Sequence, residues 1–105
     1  MIKLQNHYQL YIDGSWQSGS NNQIMQSDNP ANNTPWASFD CANQEDINQA
    51  VIAARKALNH GFWKNCSATQ RGKMLFRLAD LIEENAEMIG RVETQDSGKL
   101  LAETV

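Results

Sequence analysis

Cysteine is nearly absent: Cys41 and Cys66 are the only two, and neither belongs to a CxxC pair. Two are too few for a disulfide scaffold. Both therefore read as structural thiols of a reducing compartment, where disulfides are rare. No stretch approaches the ~20 apolar residues of a membrane span. The opening run Met1-Ile2-Lys3-Leu4-Gln5-Asn6-His7 holds no apolar signal core. The expectation is a cytoplasmic chain with no membrane partner. Basic charge is also short, with nine Lys and Arg against twelve Asp and Glu and a net charge of −3. A nucleic-acid footprint needs clustered basic residues. Arg55-Lys56 is the only adjacent basic pair, which a solvated helix face explains, so no nucleic-acid partner is expected.

The usual chemical motifs are missing too. No Gly-x-Gly-x-x-Gly follows a strand, so there is no dinucleotide fingerprint. Gly98-Lys99 fails as a phosphate loop, because Glu93 stands where its first glycine belongs and Leu100 where Ser or Thr belongs. His7 and His60 have no partner at metal-ligand spacing. Neither cysteine has a basic neighbour arranged to activate a thiolate. Glu83, Glu84 and Glu87 lie opposite an apolar stripe, as a solvated helix face does. Asp96 reads either as a metal ligand or as a turn-stabilising Asp.

What is present is a change of period. Tyr8, Leu10 and Ile12 alternate with polar residues, the mark of a half-buried strand. Asp13-Gly14 signals a type I′ turn, and Ser15-Trp16-Gln17 returns as a second strand. Ser18 to Asn22 is a polar loop, and Gln23 to Asp28 a further short strand. Asn29-Pro30-Ala31-Asn32-Asn33 is a turn. Pro35 to Ala42 is a strand with Trp36 and Phe39 as its apolar bulk. From Asn43, a good N-cap, the period becomes 3.6. Ile47, Ala50, Val51, Ala54, Ala57 and Leu58 form one amphipathic stripe. Gly61 sits where a left-handed cap would end that helix, with Phe62 and Trp63 folding back against it. Ser67-Ala68-Thr69-Gln70 has the form of a capping box before Leu75, Leu78, Ala79 and Ile82, widened by Phe76 and Leu81. Asn85 caps a third helix bearing Ile89 and Val92, and Gly98 ends it. A fourth element begins at Lys99 and stops within the helix formers Leu100, Leu101 and Ala102 with no stop signal. The reading is an α+β fragment: strands and an antiparallel hairpin over residues 1–43, then three to four amphipathic helices over 44–105, truncated.

One set of segments, taken in order, goes further. Tyr11-Ile12-Asp13-Gly14-Ser15-Trp16, Asn29-Pro30-Ala31, Asp46 through Ala57, Trp63, Arg71, Leu78 through Asn85, and Glu93-Thr94 through Gly98-Lys99 together resemble the amino-terminal part of NAD(P)-dependent aldehyde dehydrogenases, over about residues 8 to 104. The resemblance implies part of an α/β oxidoreductase that oxidises an aldehyde to a carboxylic acid with NAD or NADP. The family's catalytic thiol, water-activating glutamate and cofactor-binding segments lie downstream of this chain. The expectation is therefore no catalytic and no cofactor-binding residue here, inactivity in isolation, a homo-oligomeric parent, and as partner the missing downstream part of the enzyme. The resemblance to betaine aldehyde dehydrogenases implies one site, a monovalent cation (K+) held at Ser27, Asp28 and Asp96. The alternative reading is a stand-alone helical interaction or oligomerisation module derived from the same family.

Overall fold

The computed structural model describes residues 5–105. Strands come first. β1 (His7–Tyr8), β2 (Leu10–Ile12), β3 (Ser15–Gln17), β4 (Ile24–Asn29) and β5 (Thr34–Asp40) precede α1 (Gln44–Asn59), α2 (Phe62–Asn65), α3 (Ala68–Glu84), α4 (Ala86–Ser97) and α5 (Leu101–Thr104). This is the α+β order read from the sequence.

The alternating run at Tyr8, Leu10 and Ile12 is two strands rather than one. β1 pairs in parallel with β5, His7 beside Ser38, while β2 pairs antiparallel with β3, Ile12 beside Ser15. Period-two patterning reports which residues share a face, not which neighbour the backbone bonds. The β2–β3 turn is as expected. Asp13 and Gly14 both have positive φ, 50° and 81°, as a type I′ hairpin turn requires. The second sheet runs in the order β1-β5-β4. On β5, Ala37 and Asp40 are the buried positions and Trp36 is half-buried. Phe39, expected as apolar bulk, is exposed.

The helix starts follow from their caps. The Asn43 side chain accepts the backbone N–H groups of Glu45 and Asp46, and the Asp46 carboxylate accepts the Asn43 N–H in return. Ser67 and Gln70 make the same reciprocal pair ahead of α3. Each such cap is worth about 1 kcal/mol. Gly98 ends α4 in the left-handed region at φ 76°. Two caps differ from expectation. His60, extended, closes α1, and Gly61 instead starts α2. Asn85 makes no side-chain cap for α4; its Nδ2 donates back to the Leu81 carbonyl and closes α3.

The chain divides into two compact units. One comprises residues 5–26 and 37–66. In it α1 turns its small half-buried residues Ala50 and Ala53 toward the β2–β3 hairpin, where Tyr11 and Ile12 complete the lining. The other comprises residues 27–36 and 67–105 and packs α4 closely on α5: Gly90 is buried, and the Thr104 hydroxyl donates to its carbonyl at 3.1 Å.

The apolar stripes are largely uncovered. Among the described residues Ala37 and Cys66 are the only buried apolar ones, while Val51, Leu75 and Phe76 are 58%, 63% and 75% exposed. Phe62 and Trp63 do not fold away from solvent either; both are exposed. Fully burying one such large side chain is worth roughly 1.5–3 kcal/mol. Most of that gain is unrealised here, so caps, turns and buried carboxylates carry much of the local order. No helix among the described residues is long and apolar enough to cross a membrane.

Candidate functional site

Of the three residues singled out as cation ligands, two meet. β4 alternates, so Ser27 is half-buried and Asp28 exposed on the opposite side. The Ser27 hydroxyl donates to Asp96 Oδ1 in the last turns of α4, and the Trp36 indole N–H donates to the same oxygen at 3.1 Å. Asp96 Oδ2 takes no hydrogen bond among the described residues. The Asp28 carboxylate forms no hydrogen bond or ion pair with this cluster among the described residues.

A carboxylate near a helix C-terminus faces the negative end of the helix dipole, which costs up to about 1 kcal/mol. Two charge-assisted donors on one oxygen offset that cost. The arrangement therefore acts as a latch between the end of α4 and the segment from Ser27 to Trp36. As a cation site it is partial. Oδ2 is a free, hard donor of the kind such ions take. No group of three His, Cys, Asp or Glu side chains that could hold a metal ion occurs among the described residues. A cation here would draw its remaining ligands from backbone oxygens and from groups outside these residues.

Sequence reasoning passed over a second polar cluster, in the other unit. Asp40 is buried, with His7 Nε2 3.0 Å from Oδ1 and the Gly19 N–H donating to Oδ2 at 3.2 Å. His7 Nδ1 lies 2.8 Å from the Ser38 hydroxyl across the β1–β5 pair. Asp46 is only 3% exposed; it accepts the Ser20 hydroxyl at 2.8 Å and the Ser20 N–H at 3.2 Å, beside its bond to Asn43. The Asn43 N–H, and after it the Ser20 donors, hold the Asp46 carboxyl below its ordinary value of 3.8, against the opposing effect of burial. Two buried carboxylates thus grip the consecutive amides of Gly19 and Ser20 and fix the loop between β3 and β4. Nothing in the sequence pointed from Asp46 to Ser20, or from Asp40 to His7.

Cys66 is buried and Cys41 half-buried, both as free thiols.

Comparison with known proteins places this arrangement in a family. The family model described as "Aldehyde dehydrogenase family" matches residues 16–105. A (Z)-2-((N-methylformamido)methylene)-5-hydroxybutyrolactone dehydrogenase from Acinetobacter baylyi is 40% identical over 97 residues, which are 92% of this chain and 20% of that protein. A betaine aldehyde dehydrogenase from Bacillus subtilis is 37% identical over 95 residues, 90% of this chain and 19% of that one. Among solved structures, an NAD-dependent aldehyde dehydrogenase from Sinorhizobium meliloti superposes with a TM-score of 0.89 at 27% identity, over 96% of this chain and 20% of the other. A betaine aldehyde dehydrogenase mutant from Staphylococcus aureus in complex with NAD+ superposes at 0.88 with 36% identity, over 91% and 19%. The chain spans about one fifth of the length of these relatives. By its match over residues 16–105 it belongs to the aldehyde dehydrogenase family.

Proposed function

We propose that this chain is a scaffold portion of an enzyme that oxidises an aldehyde to a carboxylic acid with NAD, and that by itself it performs no step of that reaction. The observation that carries the reading is the uncovered apolar face of α3, with Leu75, Phe76, Leu78 and Ile82 all exposed, in a chain one fifth as long as its relatives. Such faces are ordinarily buried against further polypeptide. The partner is therefore the remaining four fifths of such an enzyme, working as a homo-oligomer in the cytoplasm. NAD is preferred over NADP because the solved relatives are described as NAD-dependent or as complexes with NAD+.

The test is complementation. The 105-residue chain is combined with a family member lacking the matching segment, and formation of reduced nicotinamide from betaine aldehyde is followed. Activity in the mixture and in neither component is expected. Turnover by the 105-residue chain alone refutes the reading.

Monovalent-cation binding is a second proposal, centred on Asp96 and Ser27, with Asp28 contributing its backbone only. What supports it is the free Oδ2 of Asp96. Melting in KCl against choline chloride at equal ionic strength tests it: a K+-specific rise in Tm that Asp96→Asn removes is expected, and identical curves refute it. The alternative, a self-standing oligomerisation module, draws on the same exposed faces. A discrete oligomer with a sharp cooperative melt would favour it.

A further inference from the structure

The chain holds six aspartates, and Asp13 alone precedes a glycine. That pair is chemically special. Gly14 has no side chain, so nothing shields its peptide nitrogen from the neighbouring aspartyl carboxyl carbon. The other five, Asp28, Asp40, Asp46, Asp80 and Asp96, all lie within a strand or helix, where regular backbone fixes the torsions. Asp40 and Asp46 are buried with their carboxylates bonded. Asp96 is held by Ser27 and Trp36, and Asp80 lies 4.0 Å from Arg77.

Asp13 is placed differently. It forms the two-residue turn between β2 and β3 with Gly14, and both are exposed. Among the described residues its carboxylate forms no hydrogen bond or ion pair, and the Gly14 N–H has no acceptor. A Cβ built on Gly14 would meet nothing within 4 Å. Both reacting groups are therefore free, in open space. Asp13 is also held at φ 50°, a region that an L-residue occupies at a cost.

We propose that Asp13-Gly14 is a site of spontaneous aspartate isomerisation in the folded protein. The Gly14 nitrogen attacks the Asp13 carboxyl carbon. An N–C bond forms, a carboxyl C–O bond breaks, and one water leaves with the proton from that nitrogen. The product is a cyclic imide. Water then adds to one of its two carbonyl carbons. Opening at the side-chain carbon restores aspartate; opening at the main-chain carbon gives isoaspartate. No oxidant, reductant or enzyme is needed. In isoaspartate the chain runs through the former side chain, so the turn gains one backbone carbon. The type I′ geometry that matches the twist of the strands is then lost. The pairing of Leu10 with Gln17 and of Tyr11 with Trp16 loosens, and with it the ring contact of Tyr11 and Trp16 at 4.9 Å.

The test is ageing of the full 105-residue chain at neutral pH, folded and in parallel in concentrated urea. Isoaspartate is located by peptide mapping with fragmentation that separates the two isomers. It is counted with an isoaspartyl-specific carboxyl methyltransferase and labelled S-adenosylmethionine. The folded chain is expected to accumulate isoaspartate at residue 13 and at none of the other five, through a species lighter by one water. Its rate is expected within about tenfold of that in urea, a barrier difference of at most about 1.4 kcal/mol. Asp13→Glu, whose ring would need one more atom, loses the label. Asp13→Asn reaches the same imide by releasing ammonia and gains the label faster; circular dichroism checks that both variants fold. In the modified fraction, amide exchange is expected to accelerate over residues 10–17 and to stay unchanged over 68–84. A folded chain that forms no isoaspartate at residue 13, or forms it more than about tenfold slower than in urea, overturns the proposal. So does a label that persists in folded Asp13→Glu, or unchanged exchange over 10–17 in the modified fraction.

Discussion

Replacing Asp96 with alanine removes the acceptor of both the Ser27 hydroxyl and the Trp36 indole N–H. A hydrogen bond to a charged group is worth about 1.5–3 kcal/mol net, and the exposure of Asp96 places these two at or below the low end, so the loss is roughly 2–3 kcal/mol in all. Two gains oppose it. Removing an anion from the C-terminal turns of α4 recovers about 0.5 kcal/mol, and alanine improves on aspartate in a helix by about 0.6 kcal/mol. The net expectation is destabilisation by roughly 1–2 kcal/mol. Asp96→Asn keeps an acceptor oxygen and sheds the charge, so it should fall much nearer the wild type. Urea unfolding followed by circular dichroism measures both, and a double-mutant cycle with Ser27→Ala isolates the pairwise part, expected at about 1 kcal/mol. An alanine variant as stable as the wild type, or a cycle with no coupling, would refute the latch.

Three further outcomes follow from the same geometry. Because the folded-state pKa of Asp46 is lowered, its contribution is complete above its ordinary value of 3.8 and is lost as pH falls through the lower folded-state value. The Tm gap between wild type and Asp46→Asn should thus be constant from neutral pH down to that region and close below it; a gap that widens in acid contradicts the assignment. Gly90→Ala should gain about 1 kcal/mol of helix propensity, yet the added Cβ would lie 2.8 Å from the Thr104 carbonyl oxygen and 2.6 Å from Val105 Cγ2. The variant should keep α4 and release α5, read as faster amide exchange after residue 100 with little change over 86–97. His7→Ala leaves the buried Asp40 carboxylate without its 3.0 Å partner, and exchange at the Gly19 amide should accelerate; an unchanged rate would mean the clasp does not hold the loop.

Most local signals survived the passage from sequence to structure, the Gly61 and Asn85 caps excepted, and most of the other failures depend on distant neighbours. The Asp13-Gly14 turn, the Asn43 cap, the Ser67–Gln70 capping box and the Gly98 cap involve residues within four positions of one another, so side-chain chemistry alone decides them. The single strand expected through Tyr8 and Ile12 broke because its halves bond to β5 and β3, a choice that patterning does not encode. Phe39 and the α3 stripe were legible as apolar but not as exposed, because periodicity names the oily face and not what covers it. At the candidate site, Ser27 and Asp96 are 69 residues apart, and it was family resemblance rather than spacing that brought them together. The same resemblance included Asp28, which strand alternation turns away. Trp36, the donor that completes the latch, was read only as apolar bulk; its indole N–H was the clue, since a half-buried Trp ordinarily finds an acceptor.

The central claim is that this chain supplies scaffold and no chemistry. Purified as its 105 residues, it can be incubated with NAD and betaine aldehyde while reduced nicotinamide is followed by absorbance. The account predicts a rate indistinguishable from buffer, including at pH values where a free thiol ionises. A saturable rate proportional to protein concentration, and abolished by Cys41→Ser or Cys66→Ser, would contradict it.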